Sequence, residues 1–163
     1  MRALKLVKHV FFYGNSNITT IAAEAFKKDS LETSYLIGVY LPESVTAIGI
    51  SAFNNQTALQ HICDEYVKDS NNLGAFGKNI SILGSNAFSY CSSLKVYNLS
   101  NQLTKIPADL FYQAGTGIRL TSLPPTIVEV GARAFFNCPF VDIRSFGSNP
   151  SEVSGSQLKY IGD

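Results

Sequence analysis

The sequence predicts an α/β solenoid, in which short parallel strands alternate with compact turns and successive coils stack on one another. Three observations carry that expectation. An Ala-Phe pair recurs at Ala25-Phe26, Ala52-Phe53, Ala87-Phe88 and Ala134-Phe135, with Leu110-Phe111 in the same series. Each Phe has an aliphatic residue five positions earlier (Ile21, Ile48, Leu83, Ile106, Val130) and another three before that (Ile18, Val45, Ile80, Leu103, Ile127). The base period, Phe88 to Phe111, is 23 residues, within the roughly 20 to 50 that mark stacked repeats.

The unit opens with a strand. Leu36-x-x-Val39-x-Leu41, Leu94-x-x-Tyr97-x-Leu99, Ile118-x-x-Thr121-x-Leu123 and Val141-x-x-Arg144-x-Phe146 follow one pattern. Leu59-x-x-Ile62 keeps it until Asp64, and Val7-x-x-Val10-x-Phe12 makes a sixth, earlier strand. Side chains alternate across a strand, so the third and fifth positions point away from the core. They form one column of His9, Gly38, His61, Val96, Leu120 and Ile143, and a second of Phe11, Tyr40, Cys63, Asn98, Ser122 and Ser145.

The turn follows. Leu83, Ala87 and Phe88 stand at i, i+4 and i+5, which predicts a single inward-facing helical turn. Glycine after the second aliphatic residue (Gly49, Gly84, Gly131, Gly162) suits a sharp bend through its permissive backbone. One such unit cannot close a core. Stacking sets each Phe above the last, so Phe53, Phe88, Phe111 and Phe135 are expected to form one buried stack. Spacings longer than the base period place insertions at Lys27–Tyr35, Asp64–Lys78 and Gly147–Ser156, the last two on one rim.

Composition narrows the function. The 163 residues, 45% hydrophobic and 15% charged, make one folded domain spanning 1–163. Net charge is +1 with no basic stripe, which argues against nucleic acid. No stretch approaches the roughly 18 apolar residues of a membrane span. The N-terminal apolar run is broken by Lys5, Lys8 and His9, so it does not read as a signal peptide.

The chemistry-bearing residues are sparse. Cys91 and Cys138 lie two repeats apart, roughly 10 Å on the spacing of strands, beyond disulfide reach. They read as small buried turn residues, and Cys63 on its strand as the one reactive thiol. His9 and His61 have no second ligand at metal-site spacing. Gly115-Thr-Gly117 reads as a turn. Asp69-Ser-Asn71-Asn72 resembles the start of a calcium loop, but its twelfth position is Ile80 instead of Glu. Asn17, Asn55, Asn79 and Asn98 open glycosylation sequons. No polar constellation converges as catalysis requires, so neither an enzyme nor a cofactor is expected.

The full motif Leu-x-x-x-x-Leu-Pro-x-x-Val-x-x-Ile-Gly-x-x-Ala-Phe, seen from Leu36 to Phe53, resembles the BspA-type leucine-rich repeat. It lacks the regular Asn column of the commoner leucine-rich repeats. The resemblance implies a right-handed superhelix with about six short parallel strands on its concave face, part of a longer array. It also implies a bacterial or protist surface or secreted protein that binds a host or matrix protein. The concave columns then supply the candidate partner-binding residues: Phe11, Tyr40, His61, Val96, Asn98, Leu120, Ser122 and Ile143. Two alternatives stand beside this adhesion module. One is a structural spacer with a uniformly polar concave face. The other is a carbohydrate-binding domain that uses Tyr40 and Phe11 as a stacking platform. The chain stops midway through a unit, at Leu158 to Asp163, so it is expected either to be a piece of a longer array or to cover an open solenoid end by self-association.

Overall fold

The computed structural model describes residues 7–12, 17–29, 33–63, 76–139, 141, 145–146 and 160–161. Among them the chain forms a solenoid built on two ladders of short parallel strands. The first ladder pairs β1 (His9–Phe11), β3 (Gly38–Tyr40) and β5 (His61–Cys63). It continues through a hydrogen bond from Lys95 N–H to the Gln60 carbonyl and a Val96–Ile118 bridge. It ends with β8 (Ser122–Leu123) beside β10 (Ser145–Phe146). The second ladder pairs β2 (Thr20–Ile21), β4 (Ala47–Ile48) and β6 (Ile82–Leu83). A further set carries it on: β7 (Lys105–Ile106), β9 (Glu129–Val130) and β11 (Tyr160–Ile161). The expected registers hold in β1, β3 and β5, where His9, Gly38 and His61 align, and in both parts of the second ladder.

The phenylalanines stack as the repeat demands. Successive centroids lie 5.1 Å (Phe26–Phe53), 5.4 Å (Phe53–Phe88), 5.7 Å (Phe88–Phe111) and 5.8 Å (Phe111–Phe135) apart, with interplanar angles from 4° to 21°. Phe53, Phe88 and Phe111 are fully buried, while Phe26 and Phe135 at the two ends of the column are partly buried. Aliphatic residues from both ladders pack around this column and make one continuous core.

The turn that carries each Phe is not helical. The described residues hold no α-helix, only a 3-10 turn at Gly115–Gly117. The Ala-Phe segment is instead a chain of tight turns in which the residues two before and two after the Phe adopt left-handed backbone. Two residues before the Phe these are Glu24, Ser51, Asn86, Asp109 and Arg133; two after it they are Asn55, Tyr90, Gln113 and Asn137, all with φ between 53° and 62°. Along these turns every second N–H is directed to the adjacent coil. Ser51, Phe53 and Asn55 donate to the carbonyls of Ser85, Ala87 and Ser89. Asn86, Phe88 and Tyr90 donate in the same way to Ala108, Leu110 and Tyr112. The intervening N–H groups close turns within their own repeat, such as Asn54 to Ser51. A helix would turn all its hydrogen bonds inward on itself; this arrangement shares them between coils and satisfies the buried backbone.

Glycine recurs here for close approach and not for a left-handed backbone. Gly49, Gly84 and Gly131 all have ordinary φ, but a Cβ on Gly84 would lie 2.3 Å from the Ile50 backbone nitrogen of the preceding coil. Gly49 and Gly131 meet Ala23 and Ala108 in the same way, each at 2.4 Å. Gly162 lies outside the described residues.

The insertion at Asp64–Lys78 departs from a simple rim projection. Residues 64–75 lie outside the described residues, but Phe76 is buried and sets its ring edge-on to Phe88 at 5.2 Å. The Gly147–Ser156 insertion lies outside the described residues.

Candidate functional site

The strand face differs most sharply from its expected composition in two consecutive strand segments, those of Leu94–Leu99 and Ile118–Leu123. Leu94, Val96 and Leu99 turn inward together, as do Ile118, Leu120 and Leu123. Val96 and Leu120 are therefore core residues, at 1% and 0% exposure, and not members of an outward column. Tyr97 and Thr121, assigned inward by the repeat pattern, face solvent. Val96 pairs with Ile118 instead of Leu120, a shift of two residues. The cause is the alternation itself: Leu94 and Val96 share one strand face, and burying an aliphatic residue gains about 1.5–3 kcal/mol. A buried Tyr or Thr would need a hydroxyl partner. A bend at Tyr97 and another at Thr121 then bring Leu99 and Leu123 back to the core.

The N-terminal part of the face is aromatic and largely closed. Phe11 and Tyr40 stack at 4.5 Å with an angle of 9°, each covering one face of the other, and Tyr40 is buried. The Tyr40 hydroxyl lies 3.4 Å from His9 Nδ1. Gly38 makes room for that phenol, since a Cβ there would stand 2.7 Å from its oxygen. His61 is half-buried, and its Nδ1 has no hydrogen-bond partner among the described residues. Burial, with Lys95 and His9 adding like charge, pushes the His61 imidazole below its ordinary value. Cys63 is buried and is not an exposed reactive thiol. Ile143 lies outside the described residues.

Asn98 and Ser122 stay exposed and meet at an open polar cleft of about 460 Å³. Lys78, Asn79, Ser100, Asn101 and Gln102 line it with them, beside Leu99 and Pro124.

A third feature escaped the repeat reading. On the outer edge of the Phe turns, Tyr90, Tyr112 and Phe136 form an aromatic row across three coils. Tyr90 meets Tyr112 edge-on at 5.6 Å, and Tyr112 stacks on Phe136 at 5.0 Å and 11°. Tyr90 and Phe136 are 40% and 51% exposed. The Arg133 guanidinium lies 5.5 Å from the Tyr112 ring centroid and makes a two-point ion pair with Asp109, both contacts at 2.9 Å. The only signal in the sequence was an aromatic one or two places after the Phe in three consecutive units, which spacing alone does not distinguish from core. Tyr90 holds a left-handed φ of 62° where the equivalent residues are Asn55, Gln113 and Asn137. That conformation is unusual for a bulky side chain.

The remaining cysteines are structural. Cys91 and Cys138 are buried, and each Sγ–H points at the Phe carbonyl of the preceding coil, Phe53 and Phe111, at 3.1 Å. Gln56, at the equivalent position, donates to the Phe26 carbonyl. Among the described residues no three metal-ligating side chains converge, and no helix is long and apolar enough to cross a membrane.

A model of the BspA type leucine rich repeat region matches residues 15–142 in six copies. No curated protein matches the chain. Among solved structures, a leucine rich cell surface protein from Faecalibacterium prausnitzii A2-165 is similar at 17% identity and a TM-score of 0.54, covering 97% of this chain and 48% of that one. A leucine-rich repeat protein from Eubacterium ventriosum is similar at 19% identity and a TM-score of 0.48, covering 87% of this chain and 45% of that one. The chain thus spans about half the length of these structures.

Proposed function

The chain belongs to the BspA-type leucine-rich repeat family, and we propose that it is a protein-interaction module of a cell-surface protein, binding a host or matrix protein. The observation that carries this reading is the exposed row of Tyr90, Tyr112 and Phe136. Tyr, Phe and Arg are the residues that protein interfaces favour. Here the stacking and the Arg133–Asp109 pair hold the rings in place before binding, which lowers the ordering cost. The strand face, through Phe11, His61, Asn98 and Ser122, is the alternative contact surface in this proposal. Surface display is supported by the name of the Faecalibacterium protein. The spacer reading fits only the polar part of the strand face around Asn98 and Ser122 and leaves the aromatic row without a purpose. No catalytic role is proposed.

Binding to a panel of immobilised extracellular-matrix proteins tests the reading. Charge placed on the row, as Phe136→Asp, should abolish capture while leaving the melting temperature nearly unchanged. Capture that survives Phe136→Asp but is lost with Asn98→Asp would move the partner to the strand face.

A further inference from the structure

We propose that the polar cleft at Asn98 is a saccharide site, distinct from the aromatic row and taking neutral oligosaccharides. Its volume of about 460 Å³ falls within the roughly 300–1,000 Å³ of small-ligand sites. Its wall is built from side-chain amides: Asn98, Asn101 and Gln102 on one coil, Asn79 on the coil before, with the Ser122 hydroxyl on the coil after. Each amide offers a donor and an acceptor side by side. That pairing suits the alternating donor and acceptor character of vicinal hydroxyls. Among the described residues the side chains of Asn98, Asn101, Gln102 and Ser122 are exposed and make no hydrogen bond to the protein. Asn79 also lines the cleft and donates its amide to the Glu43 carbonyl at 2.9 Å.

The backbone beneath these amides is fixed. Ser100 donates to the Lys78 carbonyl at 2.7 Å and accepts from the Gln102 N–H at 3.1 Å. The Thr126 hydroxyl, from the next coil, donates to the Leu103 carbonyl at 2.6 Å and lies 3.1 Å from the Asn101 carbonyl. The loop is thus tied to both neighbours while its outward side chains are left unused, the arrangement of a preorganised polar site. The repeat itself sharpens the point. The corresponding loops run Leu41-Pro-Glu-Ser-Val45 two coils before and Leu123-Pro-Pro-Thr-Ile127 in the next coil, whereas this one runs Leu99-Ser-Asn-Gln-Leu103. Folding the coil does not require two adjacent exposed amides there.

The test uses saturation-transfer NMR on the full chain, produced without N-glycosylation so that the sequon residues Asn79 and Asn98 are free. The probes are maltotriose, cellotriose and chitotriose at millimolar concentration. At least one should receive saturation, and Asn98→Ala and Gln102→Ala should each weaken it about tenfold, the loss of one neutral hydrogen bond at the upper end of its range. Both residues are exposed, so the melting temperature should not move. Absence of transfer to all three probes would overturn the proposal. Transfer that both variants leave intact would also overturn it, as would displacement of the sugar by inorganic phosphate, which would identify an anion site instead. None of these outcomes bears on capture of matrix proteins by the aromatic row.

Discussion

The rings of Phe53 and Phe88 lie 5.4 Å apart at an angle of 8°, although 35 residues of sequence separate them. The backbone follows the same coupling, with Phe53 N–H donating to the Ala87 carbonyl at 2.9 Å. Each coil therefore contributes one ring and alternate N–H groups to the coil beside it, and no coil is complete by itself.

Truncation at the middle of that column should be severe. Phe88 touches Phe53, Phe111 and Phe76 at once, so Phe88→Ala is expected to cost about 3–5 kcal/mol. Denaturant melts measure it. A loss under about 1 kcal/mol, far below that range, would sink the stacked core.

Gly84→Ala separates the two accounts of the glycines. At a position with compatible backbone the change would stabilise by about 0.4–1 kcal/mol. With a Cβ placed 2.3 Å from the Ile50 nitrogen, the expected result is destabilisation of roughly 2 kcal/mol or more. A stabilised variant would show that the coils have room to separate.

Thiol reactivity should follow burial. Cys63, Cys91 and Cys138 are all buried, and burial pushes the Cys91 thiol far above its ordinary value. Ellman titration at pH 8 should find almost no reactive thiol in the native chain and all 3 after unfolding. One thiol reacting at once in the native state would restore Cys63 as an exposed group.

Acid should weaken the fold through His61. Its native imidazole titrates below the ordinary value because of burial first, then Lys95 and His9. The unfolded chain therefore takes up the proton first, at about pH 6.5. Stability is fully present above that pH and declines as pH falls through the window between the unfolded and native values. His61→Gln should flatten the decline. An unchanged slope in that variant would assign the acid sensitivity elsewhere.

Tyr90 should show a trade between stability and binding. Its left-handed φ of 62° is easier for Asn, the residue at the same place in two other coils. Tyr90→Asn is expected to melt at the same temperature or higher, yet to bind a captured matrix protein at least about tenfold more weakly, a typical contribution of an interface aromatic. Unchanged affinity would remove Tyr90 from the site.

Much of this fold was legible because burial is periodic. The Phe column, the aliphatic pairs and the registers of β1 with β3 and β5 follow from spacing alone. The turn geometry was not legible. Leu83, Ala87 and Phe88 satisfy helical spacing, and only the left-handed φ two residues before and two after the Phe, invisible in residue types such as Glu24 or Arg133, distinguishes a turn chain from a helix. The strand face was half legible. Tyr97 and Val96 are both acceptable in a strand, so a repeat template cannot decide which faces in; the contest of aliphatic against hydroxyl-bearing side chains does. The aromatic row needed the coils to be stacked before Tyr90, Tyr112 and Phe136 became neighbours.

The claim that the aromatic row meets a protein partner is tested most directly by hydroxyl-radical footprinting of the chain with and without a captured matrix protein. Tyr90, Tyr112 and Phe136 should lose oxidation on binding, while exposed Tyr35 and Tyr97 keep theirs. Protection of Tyr97 with the row still fully oxidised would contradict the account and place the partner on the strand face.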